Sequence, residues 1–459
     1  MADRPVLYDL IVIGGGAAGQ TAAAAAAKSG LSTLIFEAGT LGGASLSRGG
    51  AAALRMLSET VSRPLAVANA GYADVGWESA RLSPAEIFSE KDRRTASLVA
   101  EAAQELGMHG VRALHSKAVI TGQKYGLFAV ESDGVHFFSR RLFLAPGSDP
   151  ILPAFRGIDE GLQSGLVVTL ETLFQTADVP KHLAVIGGGI AGLETAWVYA
   201  RLGARVAVVE MTDEVGGSLD LDAARFARER MEEKGISFCL SVRHLMIGNG
   251  AVFTAGARGR QTIPADKVLM VMGRKPRISD LGIEKLGIYT KDGAVITDAR
   301  MRTNVAGVWA GGDINGRSML ATTARREAAV AVADMNGWRD GMRYEMIPQV
   351  LFSATEAASV GETEISAGAK GIDYEVRQCV QRDFNLLADE ELTGGFAKFL
   401  VDRGSGRLIG AHFAGAHAAS AVYPATVFVG AKFSAASIRR MAFPFLSAGE
   451  VFQSARIGL

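Results

Sequence analysis

The chain has 459 residues, which at roughly 100–200 residues per domain means two to four domains. Lys plus Arg equals Asp plus Glu at 48 each, so no net charge draws the chain to nucleic acid or to an anionic membrane as its main partner. Two cysteines far apart in sequence, Cys239 and Cys379, form neither a disulfide framework nor a metal site and fit a reducing cytoplasm. The apolar stretches are short or broken by Gly, Pro, Gln, Lys or Glu, so no membrane span is expected. No basic segment followed by an apolar run and a cleavage site precedes Tyr8, so no signal peptide is expected either. Gly, at 55 residues, is about 12% of the chain against an average near 7%, and it sits among apolar runs, which points to tight backbone-lined turns.

In chain order, the first strand is Leu10 to Ile13. It runs into Gly14-Gly15-Gly16-Ala17-Ala18-Gly19, an Ala-rich helix to about Lys28, and a second strand from Ser32 to Phe36 that ends in Glu37. This is a dinucleotide-binding unit. Gly14 makes the turn, Gly16 lets a pyrophosphate approach the backbone at the helix N-terminus, and Gly19 lets helix and strand pack closely. Glu37 is placed to accept from a ribose hydroxyl. The unit recurs as the strand Leu183 to Ile186, Gly187-Gly188-Gly189-Ile190-Ala191-Gly192, a helix to about Leu202, and the strand Arg205 to Val209 with Glu210. Each acid lies 23 residues after the first Gly of its motif (37 minus 14, 210 minus 187). One such motif is weak evidence; two in full context are strong. A carboxylate at Glu210 accepts from a 2′-hydroxyl and repels a 2′-phosphate, and Met211-Thr212-Asp213-Glu214 offers no basic cluster, so NADH is preferred over NADPH.

With these units on the page, the chain resembles the pyridine nucleotide–disulfide oxidoreductase family, near dihydrolipoamide dehydrogenase and mercuric reductase, over nearly its whole length. Leu144-Ala145-Pro146-Gly147-Ser148-Asp149-Pro150 is similar to the family's A-T-G-S-x-P turn. Met272-Gly273-Arg274-Lys275-Pro276 is similar to its G-R-x-P segment, and Trp309-Ala310-Gly311-Gly312-Asp313 to its A-x-G-D motif. Ser353 to Glu364 is similar to the start of its dimerisation domain. The resemblance implies an α/β fold with two Rossmann-like domains and a C-terminal α+β dimerisation domain. Residues 1–150 and 276–345 would bind FAD, 151–275 would bind NAD, and 346–459 would form a homodimer interface. It implies FAD contacts at the first glycine motif, Glu37, Gly43, Ala44, Ala118, Ala145, Gly147, Gly273, Arg274, Gly312 and Asp313. It also implies NADH contacts at Gly187, Gly189, Ile190, Gly192 and Glu210, with Ile190 where the family's gating side chain covers the ring.

The chain leaves the family's pattern where sulfur chemistry should occur. The redox segment L-G-G-T-C-L-N-V-G-C-I-P-S-K is occupied by Leu41 to Leu54 without a gap, with Ser45 and Gly50 at the two cysteine positions and Leu54 at the lysine position. The family's Glu beside the flavin is kept as Glu194, for which Arg48 or Arg55 is the available partner. The C-terminal H-P-x-x-x-E becomes Phe443-Pro444-Phe445-Leu446-Ser447-Ala448, so the His and Glu positions hold Phe443 and Ala448. Thiol–disulfide exchange needs a thiolate and a partner sulfur, and Ser supplies neither. Hydride transfer needs only the flavin, the nicotinamide and correct stacking. The expected activity is therefore an NADH:acceptor oxidoreductase that passes electrons from FAD to a quinone-like or other non-disulfide small molecule. Loss of Cys, Lys and His is expected to leave a roomier, more apolar flavin face beside Ser45, Gly50, Leu54 and Phe443. The alternatives are a nicotinamide transhydrogenase and a partner-dependent, flavin-carrying electron-transfer subunit.

Overall fold

Short, mainly apolar runs such as Leu10–Ile13 and Thr33–Phe36 are buried at every position, the pattern of strands covered on both faces. In the computed structural model, which describes residues 7–47, 50–69, 83–380, 394–444 and 447–454, they form the centre of a five-stranded parallel sheet. Its order is Val308–Ala310, Leu142–Leu144, Leu10–Ile13, Thr33–Phe36, Arg112–Leu114. The helix Ala17–Lys28 follows the first strand. Its buried face is almost entirely alanine, which lets it lie close to the sheet and to the helix Ala321–Met335.

A second sheet repeats this order: Val167–Val168, Lys267–Met270, His182–Ile186, Arg205–Val209, Ser237–Cys239, again all parallel. Its first connecting helix is Ile190–Arg201. Each unit carries antiparallel strands in one connection of its sheet: Val119–Ser139 between Arg112–Leu114 and Leu142–Leu144 in the first, and Val242–Pro264 between Ser237–Cys239 and Lys267–Met270 in the second. The outermost strand differs in origin. It comes from downstream in the first unit (Val308–Ala310) and from upstream in the second (Val167–Val168). The two crossings between the units, Ser148–Pro150 and Arg274–Pro276, run side by side as an antiparallel pair.

The C-terminal part is a five-stranded antiparallel sheet in the order Gln349–Phe352, Glu356–Gly361, Leu408–Ala414, Phe396–Asp402, Tyr374–Val380. One face packs on the helix Ala418–Gly430 through Ala358, Phe399, Ala411, Phe413, Ala425 and Phe428. No helix among the described residues is long and apolar enough to cross a membrane.

Candidate active site: two glycine loops and a rebuilt segment

The first glycine loop makes three requirements of its backbone. Gly14 has φ +103°, and a Cβ there would lie 2.1 Å from the Ala145 carbonyl oxygen. A Cβ on Gly19 would lie 1.7 Å from the Gly14 carbonyl oxygen, so only Gly lets helix and loop meet. Gly16 is the helix N-cap, has no side chain to satisfy the first-turn N–H groups, and meets nothing within 4 Å on its Cβ side. Glu37 closes the loop: Oε2 accepts from the Gly15 N–H at 2.6 Å and Oε1 from the Gly39 N–H at 2.6 Å.

The second loop has the same geometry. Gly187 has φ +117°, Gly192 would bring a Cβ within 2.1 Å of the Gly187 carbonyl oxygen, and Gly189 is an N-cap facing open space. Glu210 Oε2 accepts from the Gly188 N–H at 2.6 Å, and its Oε1 accepts from the N–H groups of Met211 and Thr212. Uncapped N–H groups at the positive end of a 12-residue helix, beside open space, suit a pyrophosphate in both places.

Around the second loop the structure forms a cavity of about 620 Å³. Gly187, Gly189 and Glu210 line it together with Gly273 and the loop Met211–Leu219. Ile190 starts the helix and is partly buried against the apolar core. The remaining wall comes from residues that sequence order hides: Phe155, Arg243 and His244, and Ile365 of the C-terminal part. Arg243 and His244 follow Val242, whose N–H donates to the Glu210 carbonyl at 3.0 Å, so this backbone contact brings two basic side chains to a loop that carries none.

Around the first loop, distant motifs converge. Gly312, at φ +79°, sits so that a Cβ would be 3.2 Å from Ala18 Cβ, which sets Asp313 beside the first helix. The Ser148 hydroxyl donates to Asp313 Oδ2 at 2.5 Å, and Arg274 Nε donates to Ser148 Oγ at 2.7 Å while pairing with Glu171 at 2.8 Å. Burial raises the Asp313 carboxyl above the usual range, and the Ser148 hydrogen bond partly offsets this. Gly147 has φ +81°, Gly273 has φ +103°, and Ala118 is buried at the head of the strand Val119–Lys124. Gly43 folds back on the loop, where a Cβ would lie 3.0 Å from Gly16 Cα; Ala44 follows it in the short helix Gly43–Ser47. Sequence reasoning missed Glu327. This fully buried acid on the helix Ala321–Met335 accepts from the N–H of Gly312 at 2.6 Å, from Asn315 Nδ2 at 2.9 Å and from the Tyr344 hydroxyl at 2.6 Å. Its one legible signal is a carboxylate among alanines on the face of that helix that also carries the buried Asp334.

The segment that replaces the redox motif is packed shut at one of its two cysteine positions. A Cβ on Gly50 would lie 2.1 Å from the Ala44 carbonyl oxygen and 2.8 Å from Ser45 Cα. The small residue thus opens no space at its own position, because backbone occupies it. Leu54 is buried in the same apolar cluster as Leu193 and Trp197. The Phe443 ring stacks on Phe452 with centroids 5.5 Å apart, inside an aromatic cluster of its own C-terminal part. Gly50, Leu54 and Phe443 therefore leave less open apolar surface than their residue types suggest. Phe445, Leu446, Arg48 and Gly49 lie outside the described residues.

Glu194 sits on the second turn of the helix Ile190–Arg201 and is almost fully buried. Its Oε1 accepts from the Phe352 N–H at 3.1 Å. Arg55 does not pair with it. The Arg55 guanidinium lies 3.7 Å over the Phe352 ring and its Nε is 3.1 Å from Glu59. Among the described residues no ion pair reaches Glu194. Burial pushes its carboxyl up to about 7, against smaller opposing effects of the Phe352 N–H and the Arg55 charge. Cys239 and Cys379 form no disulfide and are buried in separate apolar clusters.

Known proteins share this architecture over its full length. The chain is 29% identical over 459 residues to dihydrolipoyl dehydrogenase 3 of Pseudomonas aeruginosa, covering 98% of this chain and 97% of that one. It is 27% identical over 456 residues to mercuric reductase of Streptomyces lividans, covering 98% and 95%. The crystal structure of LpdA from Mycobacterium tuberculosis superposes with a TM-score of 0.85 at 24% identity, over 97% of this chain and 98% of that one. Residues 347–456 match the dimerisation domain of the pyridine nucleotide-disulphide oxidoreductases. Residues 8–328 match the model of the pyridine nucleotide-disulphide oxidoreductases themselves, and the chain belongs to that family, whose members use FAD and NAD(H).

Proposed function

We propose that this oxidoreductase takes electrons from NADH and passes them, by way of FAD, to a non-disulfide acceptor: a quinone-like or other small molecule. The observation that carries the reading is the contrast between two geometrically complete glycine loops and Gly50, whose backbone contact with Ala44 and Ser45 excludes a side chain where the second sulfur would stand. FAD and NADH, when bound, supply the hydride and electron chemistry. The protein supplies the rest. The first-turn N–H groups after Gly16 and Gly189 hold the two pyrophosphates, Glu37 and Glu210 face the riboses, and Ser148 and Arg274 orient the Asp313 carboxylate toward the flavin chain. On this reading residues 1–150 and 276–345 form the FAD domain, 151–275 the NAD domain, and 346–459 the homodimer interface. Two buried cysteines that form no disulfide suit a reducing compartment such as the cytoplasm. The test is anaerobic reduction of the bound flavin by NADH, followed by mixing with menadione, ferricyanide or lipoamide. Reoxidation by the first two and not by lipoamide is expected; rapid lipoamide turnover overturns the reading.

A second reading, pyridine nucleotide transhydrogenase, is favoured by Arg243 and His244, which line the cavity holding Glu210 and could meet a 2′-phosphate. It requires NADPH to reduce the flavin at a rate comparable to NADH. Reduction by NADH alone removes it.

A further inference from the structure

The face of the C-terminal sheet opposite its apolar core carries a polar row. Gln349, Ser359, His412, Lys398 and Gln378 are directly paired across all five strands. Such a row facing water would need no comment, but Lys398 is only 2% exposed and His412 is fully buried. The row is covered by the second nucleotide unit. Gln349 accepts from the Ser218 hydroxyl, and Ser359 Oγ accepts from the Asp220 N–H at 3.1 Å. Lys398 Nζ reaches three carboxylates: Asp220 at 2.8 Å, Asp222 at 2.7 Å and Glu364 at 3.0 Å.

Those three acids stand directly behind the wall of the dinucleotide cavity. Leu219 and Leu221, which flank Asp220, line the cavity on one side of the junction. Ile365, next to Glu364, lines it from the C-terminal part and is otherwise 68% exposed. The cavity rim is therefore assembled from two parts of the chain distant in sequence, and one buried ammonium is bonded to both. Asp220 also N-caps the helix Leu221–Glu233 through the N–H groups of Asp222 and Ala223, so its position sets where the loop Met211–Leu219 ends. A lysine is not buried without such partners, because the desolvation of an unpaired ammonium is too costly. Here the three carboxylates outweigh burial and hold the Lys398 ammonium above the usual lysine range. His412 lies beside it with Nε2 on the Glu362 carbonyl at 3.0 Å, and its own burial lowers its affinity for a proton, so it adds no second charge to the cluster.

We infer that Lys398 is a positioning residue for dinucleotide binding: it ties the loop ending at Asp220 to Glu364 of the dimerisation domain, and so fixes the rim formed by Leu219, Leu221 and Ile365. The inference rests on the reading of this cavity as the NADH site. Its test uses the full FAD-loaded chain as K398M, K398R and E364Q. K398M should raise the KM for NADH about tenfold while kcat at saturation and FAD content stay near wild type, the signature of lost uniform binding. K398R should restore most of the loss, and E364Q, which cuts only the tie to the dimerisation domain, should show a smaller rise of about threefold. Amide exchange should speed up in 211–222 and 362–369 in both K398M and E364Q and stay unchanged in 10–36. If K398M does not fold, E364Q carries the test alone. Unchanged KM together with unchanged exchange in the folded variants overturns the inference. So does a loss of FAD in parallel with the KM effect, which marks a general structural role. Exchange is read without NADH. A protein that NADH never reduces would sink the proposed function and leave exchange to decide this inference.

Discussion

The two nucleotide units are copies of one another further along the chain than their glycine motifs indicate, and the point where they part explains their different uses. Both loops close on an acid, Glu37 or Glu210, that takes the N–H of the middle glycine at 2.6 Å. Beyond the acid, both chains return to the loop. The Gly42 N–H donates to the Gly15 carbonyl at 2.9 Å, and the Gly216 N–H donates to the Gly188 carbonyl at 2.8 Å. Leu41 and Val215 fill the same space over the middle glycine. After the pairs Gly42-Gly43 and Gly216-Gly217 the copies diverge. The second continues as cavity wall to Asp220 and the Lys398 pin. The first turns into the short helix Gly43–Ser47 and the backbone contact at Gly50. The scaffold common to both units, proposed above as a dinucleotide cradle, thus runs up to the glycine pair, and what is specific to each unit begins after it.

The largest expected effect separates the two cradles. Gly19→Ala and Gly192→Ala each force a Cβ into a backbone carbonyl, at 1.7 and 2.1 Å. G19A should abolish FAD binding. G192A should keep FAD and lower the rate of flavin reduction by NADH at least about a hundredfold, equivalent to roughly 3 kcal/mol. Flavin absorbance of the purified variants and stopped-flow reduction measure both. Loss of FAD in G192A would mean that the two units do not act as separate sites.

A second test addresses the divergent segment. Gly50→Cys places a Cβ against the Ala44 carbonyl and should cost on the order of 3 kcal/mol in stability, measured by chemical denaturation. The double variant Ser45→Cys, Gly50→Cys should form no redox-active disulfide by thiol titration and gain no lipoamide turnover. A stable double variant with two titratable thiols that oxidise reversibly would show that the segment has kept the older geometry.

The two cradles were legible because their residues answer to local rules. A strand of four aliphatics, glycines at positive φ or close approach, and an acid after the next strand are each fixed by neighbours within about 25 positions. The strands Leu10–Ile13 and Arg205–Val209 and the helix end at Lys28 fall where the pattern puts them. What sequence could not carry is tertiary. Arg243 and His244 reach the cavity through the Val242 backbone contact with Glu210, Ile365 through packing of the C-terminal part, and Lys398 is a mid-strand lysine whose burial depends on three acids brought from elsewhere. The same limit explains Gly50. Glycine read alone implies space, and only the fold shows that the Ala44 carbonyl fills it.

The smallest effect concerns Glu194, at the junction between the second unit and the C-terminal sheet. With Leu54 buried nearby and Arg55 engaged by Phe352 and Glu59, the carboxyl keeps one backbone hydrogen bond and no ion pair among the described residues. Its pKa rises from 4.5 to about 7 because burial disfavours the ionised form. A raised folded-state pKa means that the group's contribution to stability is fully present below about 4.5 and is lost as pH rises through about 7. Wild type should therefore lose about 2 kcal/mol of stability relative to Glu194→Gln between pH 5 and 8, at 1.36 kcal/mol per unit, because part of the loss already falls below pH 5. Urea denaturation of both proteins at several pH values reads the difference directly. Arg55→Met removes the one positive charge among the described residues that opposes the shift, so it should move the midpoint of that loss to lower stability and higher pH. A pH-independent difference between wild type and Glu194→Gln would mean that the carboxyl is already ionised at pH 5, and hence that burial does not hold its proton.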